Sequence, residues 1–422
     1  MTPKLLTTLQ NYSTKLFVAD VIAGITVAMV ALPLSIAIAI ASGAQPAAGL
    51  VTAVIGGLIV SALGGSRVQI GGPTGAFIVV VYGIIQRFGF DGLLLATLMA
   101  GVFLVLGGLL RAGRVIALIP EAVIEGFTVG IAVIIAASQL KDLLGESVAR
   151  MPAEFVHILP ALWNARASVN FAALAIGVGT IALIMILRRF AARVPGSILA
   201  IAIASGAVAL LALPVETLQS RFGSLPNGLP MIALPPISGD LMIALLPSAL
   251  VIAFLAGVES LLSAVVADRM IVGAHRSNAE LLAQGAANIA SPLFGGLPVT
   301  GAIARTATNV RAGGRTPVAG IVHALTILLV MFAAAPLAAF LTMPALAGLL
   351  IVTAWVMSEP HRWPERLRAS GGDRFVLFLT FGLTVLSSLT VAIAVGTAVG
   401  LAQRRLRRAA PPVTKPRSTA DS

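Results

Sequence analysis

The 422 residues are 58% hydrophobic and only 10% charged, whereas a soluble domain usually carries about a quarter charged residues, so a water-soluble globular fold is excluded. A net charge of +12 would suit nucleic acid, but the placement of the basic residues, given below, assigns it elsewhere. The chain has no cysteine, which removes disulfides, thiolate metal sites and cysteine catalysis. Apolar runs of roughly 15 to 25 residues recur almost to the end, and a bilayer core needs about 20 helical residues. The runs are continuous rather than alternating, so the reading is an all-α polytopic membrane protein and not a β-barrel.

In chain order, the N-terminal segment 1–20 lacks a signal-peptide cleavage pattern and reads as cytoplasmic, with the first apolar run a retained helix. Fourteen candidate spans follow: 21–41, 48–63, 74–86, 92–110, 115–137, 170–187, 195–213, 241–266, 279–292, 300–311, 317–335, 339–357, 373–388 and 389–403. Two of them, 74–86 and 300–311, are too short to cross alone, and each follows a Gly/Pro cluster. Interrupted segments in matching positions of two halves point to a transporter's binding site. The stretch 138–169 is amphipathic and reads as lying along the outer interface, with His157 and Trp163 packing there. The Pro-rich stretch 214–240 reads as an external loop. Residues 404–422 read as a basic, disordered cytoplasmic tail, with RRLRR set to meet anionic membrane lipid.

The 28 lysines and arginines support this topology. With the N-terminus on the cytoplasmic side, only Arg87, Lys141, Arg150, Arg166 and Arg221 fall in outside loops, and Arg305 falls in no loop at all. That is the positive-inside bias. It also accounts for the basic charge without nucleic acid, and it places both termini in the cytoplasm of a plasma (bacterial inner) membrane.

The halves echo each other. Gly71-Gly72-Pro73-Thr74-Gly75-Ala76 resembles Gly295-Gly296-Leu297-Pro298-Val299-Thr300-Gly301-Ala302, each with Thr-Gly-Ala at the start of a short helix. Seven spans per half is an odd number, so the halves are inverted, and two half-helix N-termini face one another near the midplane.

Helix N-termini expose unpaired N–H groups and the positive end of the helix dipole, so two of them together attract an anion without a metal. Arg305 adds a full charge and a planar donor fork suited to an oxyanion. Glu259, in AFLAGVESLLSAVVAD, is a carboxylate deep in apolar sequence, and Arg305 is its natural partner; protonating Glu259 would free Arg305 for an anion. Ser263, one turn on, is expected on the same side as Glu259. Glu121 and Glu125 are expected to meet inner-loop arginines, and Asp268, His275 and Arg276 to share an inner loop. Gln45 and Gln139 lie near span ends and read as loop residues. Gln284 and Asn288, four apart, read as a helix–helix hydrogen-bonding face. No catalytic motif or histidine ligand spacing is present, so neither an enzyme nor a metal cofactor is expected.

With these residues in place, the chain resembles the SulP/SLC26 anion transporter family. The resemblance is carried by DVIAGITVAMVALPLSIAIAIASGAQPAAGLVTAVIGGLIVSALGGSRVQIGGPTGAF (20–77) and by ESLLSAVVADRMIVGAHRSNAELLAQGAANIASPLFGGLPVTGAIARTATNVRAGGRTPVAGIVHA (259–324), and it continues more weakly to about 403. It implies fourteen transmembrane segments as 7+7 inverted repeats, with half-helices 3 and 10. A core domain (about 21–110 and 241–335) would move by an elevator displacement against a gate domain (about 115–213 and 339–403), usually in a homodimer. The anion would lie between the N-termini of spans 3 and 10, lined by Pro73, Thr74, Gly75, Ala76, Thr300, Gly301, Ala302, Ile303, Ala304 and Arg305. Glu259, with Ser263, matches the position implicated in coupling. Sodium-using bicarbonate members look to carry Asp and Thr where this chain has Glu259 and Ser263, and a hydroxyl at Ile303, which favours a proton over sodium. The family's usual C-terminal STAS domain is missing after the last span, as in a short form or a truncated chain. The expected function is secondary active uptake of a small anion, proton-coupled sulfate first. A C4-dicarboxylate or bicarbonate transporter, or an uncoupled exchanger or channel on the same fold, stands as the alternative.

Overall fold

The computed structural model describes residues 2–113, 120–148, 151–191, 195–224, 226, 228–387 and 389–409. The protein is helical. A short helix α1 (Lys4–Thr8) precedes α2 (Thr14–Ala41), α3 (Pro46–Leu63), strand β1 (Gly71–Gly72) and α4 (Ile78–Leu109). Next come α5 (Glu121–Leu144), α6 (Phe155–Ala165), α7 (Phe171–Phe190), α8 (Gly196–Leu210) and α9 (Leu218–Phe222). The second half holds α10 (Gly239–Ile271), α11 (Ser277–Leu293), strand β2 (Thr300–Gly301), α12 (Ile303–Arg311), α13 (Val318–Ala333) and α14 (Ala335–Ala338). It closes with α15 (Met343–Met357), α16 (Trp363–Arg368), α17 (Gly371–Leu386) and α18 (Leu389–Ala409). Seven of the described helical stretches are long and apolar enough to cross a membrane.

Every expected span coincides with a helix, but several boundaries move. The spans expected at 74–86 and 92–110 are present as two helical segments of α4 on either side of Gly89, which breaks the helix with a φ of +74° that an L side chain adopts only with strain. The start expected at 115 lies outside the described residues. That helix runs on past its expected end at 137 to Leu144 and stops where Gly145 takes a left-handed cap, φ +63°. Helix α10 extends to Ile271, five residues beyond the apolar window. Helix α18 runs to Ala409, so residues 404–409 continue a helix instead of opening the expected tail, of which the remainder lies outside the described residues.

Helix α4 packs chiefly on α11 and α10, and α13 on α2 and α3; separately, α5 packs on α17 and α15, and α15 on α7. Small residues permit the closest of these approaches. A Cβ at Gly101 of α4 would stand 2.8 Å from the Gly285 carbonyl of α11, and one at Gly285 would stand 2.9 Å from the Gly101 carbonyl.

Buried polar groups fasten the ends. Asp20, early in α2, accepts from the N–H groups of Arg315 and Thr316, from the Thr316 hydroxyl and from the Tyr12 hydroxyl. Burial, then the charge of Asp20, pushes the Tyr12 phenol up to about 12. Glu280, at the start of α11, accepts from the N–H groups of Gly65 and Ser66, from Ser260 Oγ and from Gln284 Nε2. Neither carboxylate stood out in the sequence, where each reads as an ordinary acid near a helix start.

The polar pair on α11 needs a correction. Gln284 donates to Glu280 within its own helix. Asn288 donates to the Val299 carbonyl and accepts from the Val299 N–H, at 2.8 and 2.9 Å. These residues therefore satisfy a carboxylate and the loop leading into β2, because that loop's backbone groups are buried and have no helix to pair them.

At one end of the molecule Arg362 pairs with Glu121 and Glu125, both at 3.0 Å, and Arg366 with Glu125 at 3.3 Å, joining α5 to the segment after α15 as expected. His275 and Asp268 also meet, at 2.7 Å. On α6, Trp163 is exposed and stacks under Arg166, while His157 pairs with Glu154 at 3.4 Å.

Candidate functional site

The site is built on the smallest sheet the chain can make. Strands β1 and β2 pair antiparallel, Gly71 opposite Gly301 and Gly72 opposite Thr300. Each leads into a helix start: β1 through Pro73 and Thr74 into a 3-10 turn (Gly75–Phe77) and α4, and β2 through Ala302 into α12. The pairing brings together the two interrupted segments that the sequence marks. It also shows that the Thr-Gly-Ala echo is out of register. Thr74 stands at the N-cap position of its 3-10 turn without a side-chain cap bond, whereas Thr300 lies within β2, its hydroxyl bonded to the Ala256 carbonyl at 3.0 Å.

The first turns leave donors unused. Thr306 N–H bonds the Ala302 carbonyl and Phe77 N–H the Thr74 carbonyl. The N–H groups of Gly75, Ala76, Ile303, Ala304 and Arg305 bond to no described residue, as the first N–H groups of any helix do without a cap. Two positive dipole ends therefore meet across one sheet of four residues. Ile303 and Ala304 are exposed, Ile303 by 38%, while Pro73, Thr74, Gly75, Ala76, Thr300, Gly301 and Ala302 are buried. Gly75 lies under Met357 of α15 and Ile135 of α5; a Cβ there would stand 2.9 Å from the Met357 sulfur.

Arg305 is 2% exposed. Its Nη2 donates to Ser35 Oγ of α2 at 3.1 Å, and its Nε and Nη1 have no partner. Gly72 makes room for it, since a Cβ there would stand 2.4 Å from Nη1. The expected pairing with Glu259 is not made: among the described residues no carboxylate lies within the 4.0 Å of an ion pair. Glu259 Oε2 instead accepts from Thr74 Oγ1 at 3.0 Å. The physical reason is the opening at Gly72, which lets the guanidinium turn between α2 and α3 while the carboxyl turns to the opposite half.

Ser263 sits on Thr306, 3.2 Å between the two hydroxyl oxygens, and not on Glu259. Thr306 also accepts from Ile70 N–H at 3.1 Å, so one threonine ties α10, α12 and the approach to β1 together. Gln69 donates to Ser260 Oγ at 2.8 Å and lies so close to Gly301 that a Cβ there would clash. Asn309 donates to the Val68 carbonyl at 2.8 Å. Ser35, Gln69, Ser260, Thr306 and Asn309 were not legible as site supports, since single polar residues are common in membrane helices and the loops between them; the three-residue spacings 260/263 and 306/309 were the available signal.

Two of the cavities among the described residues are not lined by residues 73–76 or 300–305. One of about 380 Å³ lies among Ile78, Tyr82, Gln86, Ile135, Gln139, Lys141 and Arg221. The other, of about 180 Å³, includes Glu146, Asn170, Glu216 and Pro344. Gln139 is buried and bonds Ser138, whereas Gln45 is exposed before α3. Asp142 and Arg221 line both cavities and pair with each other at 2.6 Å, and Arg221 also pairs with Glu216. Burial pulls the Arg221 guanidinium down, yet the hydrogen bonds it donates to these carboxylates hold it above its ordinary value.

Two helix starts with unused N–H groups, a buried guanidinium between them and a set of long apolar helices define a helical membrane protein with a cationic side chain at its centre. Residues 17–380 match the Sulfate permease family. "Putative sulfate transporter YvdB" of Bacillus subtilis (strain 168) is 44% identical over 92% of this chain and 73% of its own length. "Bicarbonate transporter BicA" of Picosynechococcus sp. is 32% identical over 90% of this chain and 69% of its own length. Among solved structures, the transmembrane domain of a cyanobacterial bicarbonate transporter BicA superimposes with a TM-score of 0.81, 32% identity, and coverage of 90% of this chain and 98% of that one. "The overall structure of SLC26A9" gives 0.87 over 96% of this chain and 68% of that one at 19% identity, a likeness of fold alone. The chain belongs to the sulfate permease (SulP/SLC26) family and is an integral membrane anion transporter.

Proposed function

We propose that the chain takes up sulfate by secondary active transport coupled to protons. The observation that carries this reading is the meeting of two helix starts with unused N–H groups beside Arg305, which has no carboxylate within 4.0 Å. Such a centre has excess positive potential in a low-dielectric setting, and a small oxyanion relieves it. The anion would be lined by Pro73, Thr74, Gly75, Ala76, Thr300, Gly301, Ala302, Ile303, Ala304 and Arg305. Glu259 would carry the coupling proton, with Ser263 acting through Thr306 to set α12. The helices α2–α4 and α10–α13 would move as a core against α5–α8 and α15–α18, in a homodimer in the bacterial inner membrane with both termini cytoplasmic. Bicarbonate is the second reading, favoured by the BicA relatives.

The test is uptake of labelled sulfate, succinate and bicarbonate into proteoliposomes without sodium, with an inward proton gradient imposed or collapsed. Proton-stimulated sulfate uptake, lost in Arg305→Ala and uncoupled from the gradient in Glu259→Gln, is expected. Gradient-independent flux would replace coupling by exchange or a channel, and wild-type uptake in Arg305→Ala would remove the site.

A further inference from the structure

His323 of α13 is fully buried, and both ring nitrogens lack a partner. Such orphaned polar groups are uncommon in folded proteins and call for an explanation. Its direction follows from its neighbours. Ala319 and Val322 face Gly24 of α2, while Gly320 faces Ser61 and Ala324 faces Gly57 of α3. At 100° per residue, position 323 falls between these two faces and points into the seam where α2, α3 and α13 meet. The Arg305 guanidinium enters that seam, bonded to Ser35 of α2 and lying beside Gly72, which abuts Ala53 of α3. His323 lies within electrostatic reach of Arg305.

Two donors of Arg305 and both nitrogens of His323 are thus unpartnered in one buried seam. We infer that His323 is a positioning residue for Arg305, a neutral imidazole that accepts from the guanidinium through one water and holds it toward the helix starts. A neutral acceptor fits where a carboxylate would not, because it orients the cation without cancelling the charge an anion needs. Glu259 of α10 also lies within electrostatic reach of Arg305, but its carboxyl is bonded to Thr74. On the helices packed against α13, α3 has no ionisable group, and α2 offers Asp20, engaged at Thr316, and exposed Lys15.

This inference rests on the anion-site reading, and the experiment separates the two. Sulfate and bicarbonate uptake by the full chain in proteoliposomes is measured for Arg305→Lys, His323→Gln, His323→Phe and their doubles, with melting temperatures in detergent. Glutamine keeps a neutral acceptor, so His323→Gln is expected to hold KM within about twofold. His323→Phe keeps the ring volume and is expected to raise KM about tenfold at little changed kcat, the loss of one hydrogen bond to a charged group. In the Arg305→Lys background the Phe substitution is expected to add less than twofold, as coupled residues do. If His323→Phe does not fold, His323→Met serves the same comparison. Equal KM for the Gln and apolar variants, or full additivity with Arg305→Lys, overturns the inference. A wild-type KM in Arg305→Lys overturns the anion site itself.

Discussion

The Thr74 hydroxyl donates to Oε2 of Glu259 across 3.0 Å, so the acidic side chain of α10 is held by the helix start of the opposite half and not by Arg305. The contact links 185 positions of sequence and places the candidate coupling carboxyl at the lip of the candidate anion centre. Thr74→Val removes the donor at nearly constant volume, and its expected result is about a tenfold fall in gradient-driven uptake. Thr74→Ser should keep uptake within about twofold. Equal losses in both would make Thr74 a packing residue.

Arg305 is buried without an ion pair among the described residues, an arrangement that costs stability. Arg305→Met, of similar length and uncharged, is expected to abolish sulfate binding while leaving the melting temperature unchanged or higher. A marked drop in melting temperature would show that the guanidinium holds the fold together instead.

Gly72 carries two constraints, a φ of +151° and the Arg305 Nη1 that a Cβ would meet. Gly72→Ala is expected to cost about 1–3 kcal/mol of stability and to weaken anion binding by displacing the guanidinium. Gly83→Ala, at a position with open space around it, is the control and is expected to be neutral or slightly stabilising. Thermal unfolding with and without sulfate reads both.

Glu146 follows α5 and lines the smaller cavity; its Oε2 is buried without a partner, and burial pushes its carboxyl up from the ordinary carboxylate value. A raised acid favours the folded state below its unfolded value, and that contribution is lost as pH rises through the folded one. Glu146→Gln is therefore expected to raise the melting temperature at pH 7 and to have little effect at a pH below the usual carboxylate range. A gain of the same size at both pH values would argue against burial as the cause.

Much of this was legible in the sequence, because a bilayer leaves few choices. Continuous apolar runs become helices whatever packs beside them, since no water is present to satisfy their backbone. Each Gly/Pro cluster interrupts a run wherever it lies, so the two short helices and Arg305 stood out. The glutamates Glu121 and Glu125 announced their arginines through position and charge alone.

The partners of single polar side chains were set by three-dimensional proximity. Gly72 reads as one glycine among 42 until β1 meets β2 and its missing side chain becomes the space Arg305 occupies. Asn288 looked like helix–helix glue until the loop at Val299 presented its backbone. His323 looked like one of four scattered histidines until α2 and α3 closed over it. Composition and periodicity determined that the chain crosses the membrane as helices and where two of them break off. Which buried charge faces which donor depends on angstrom-scale packing between segments some 200 residues apart, and only the tertiary structure decided it.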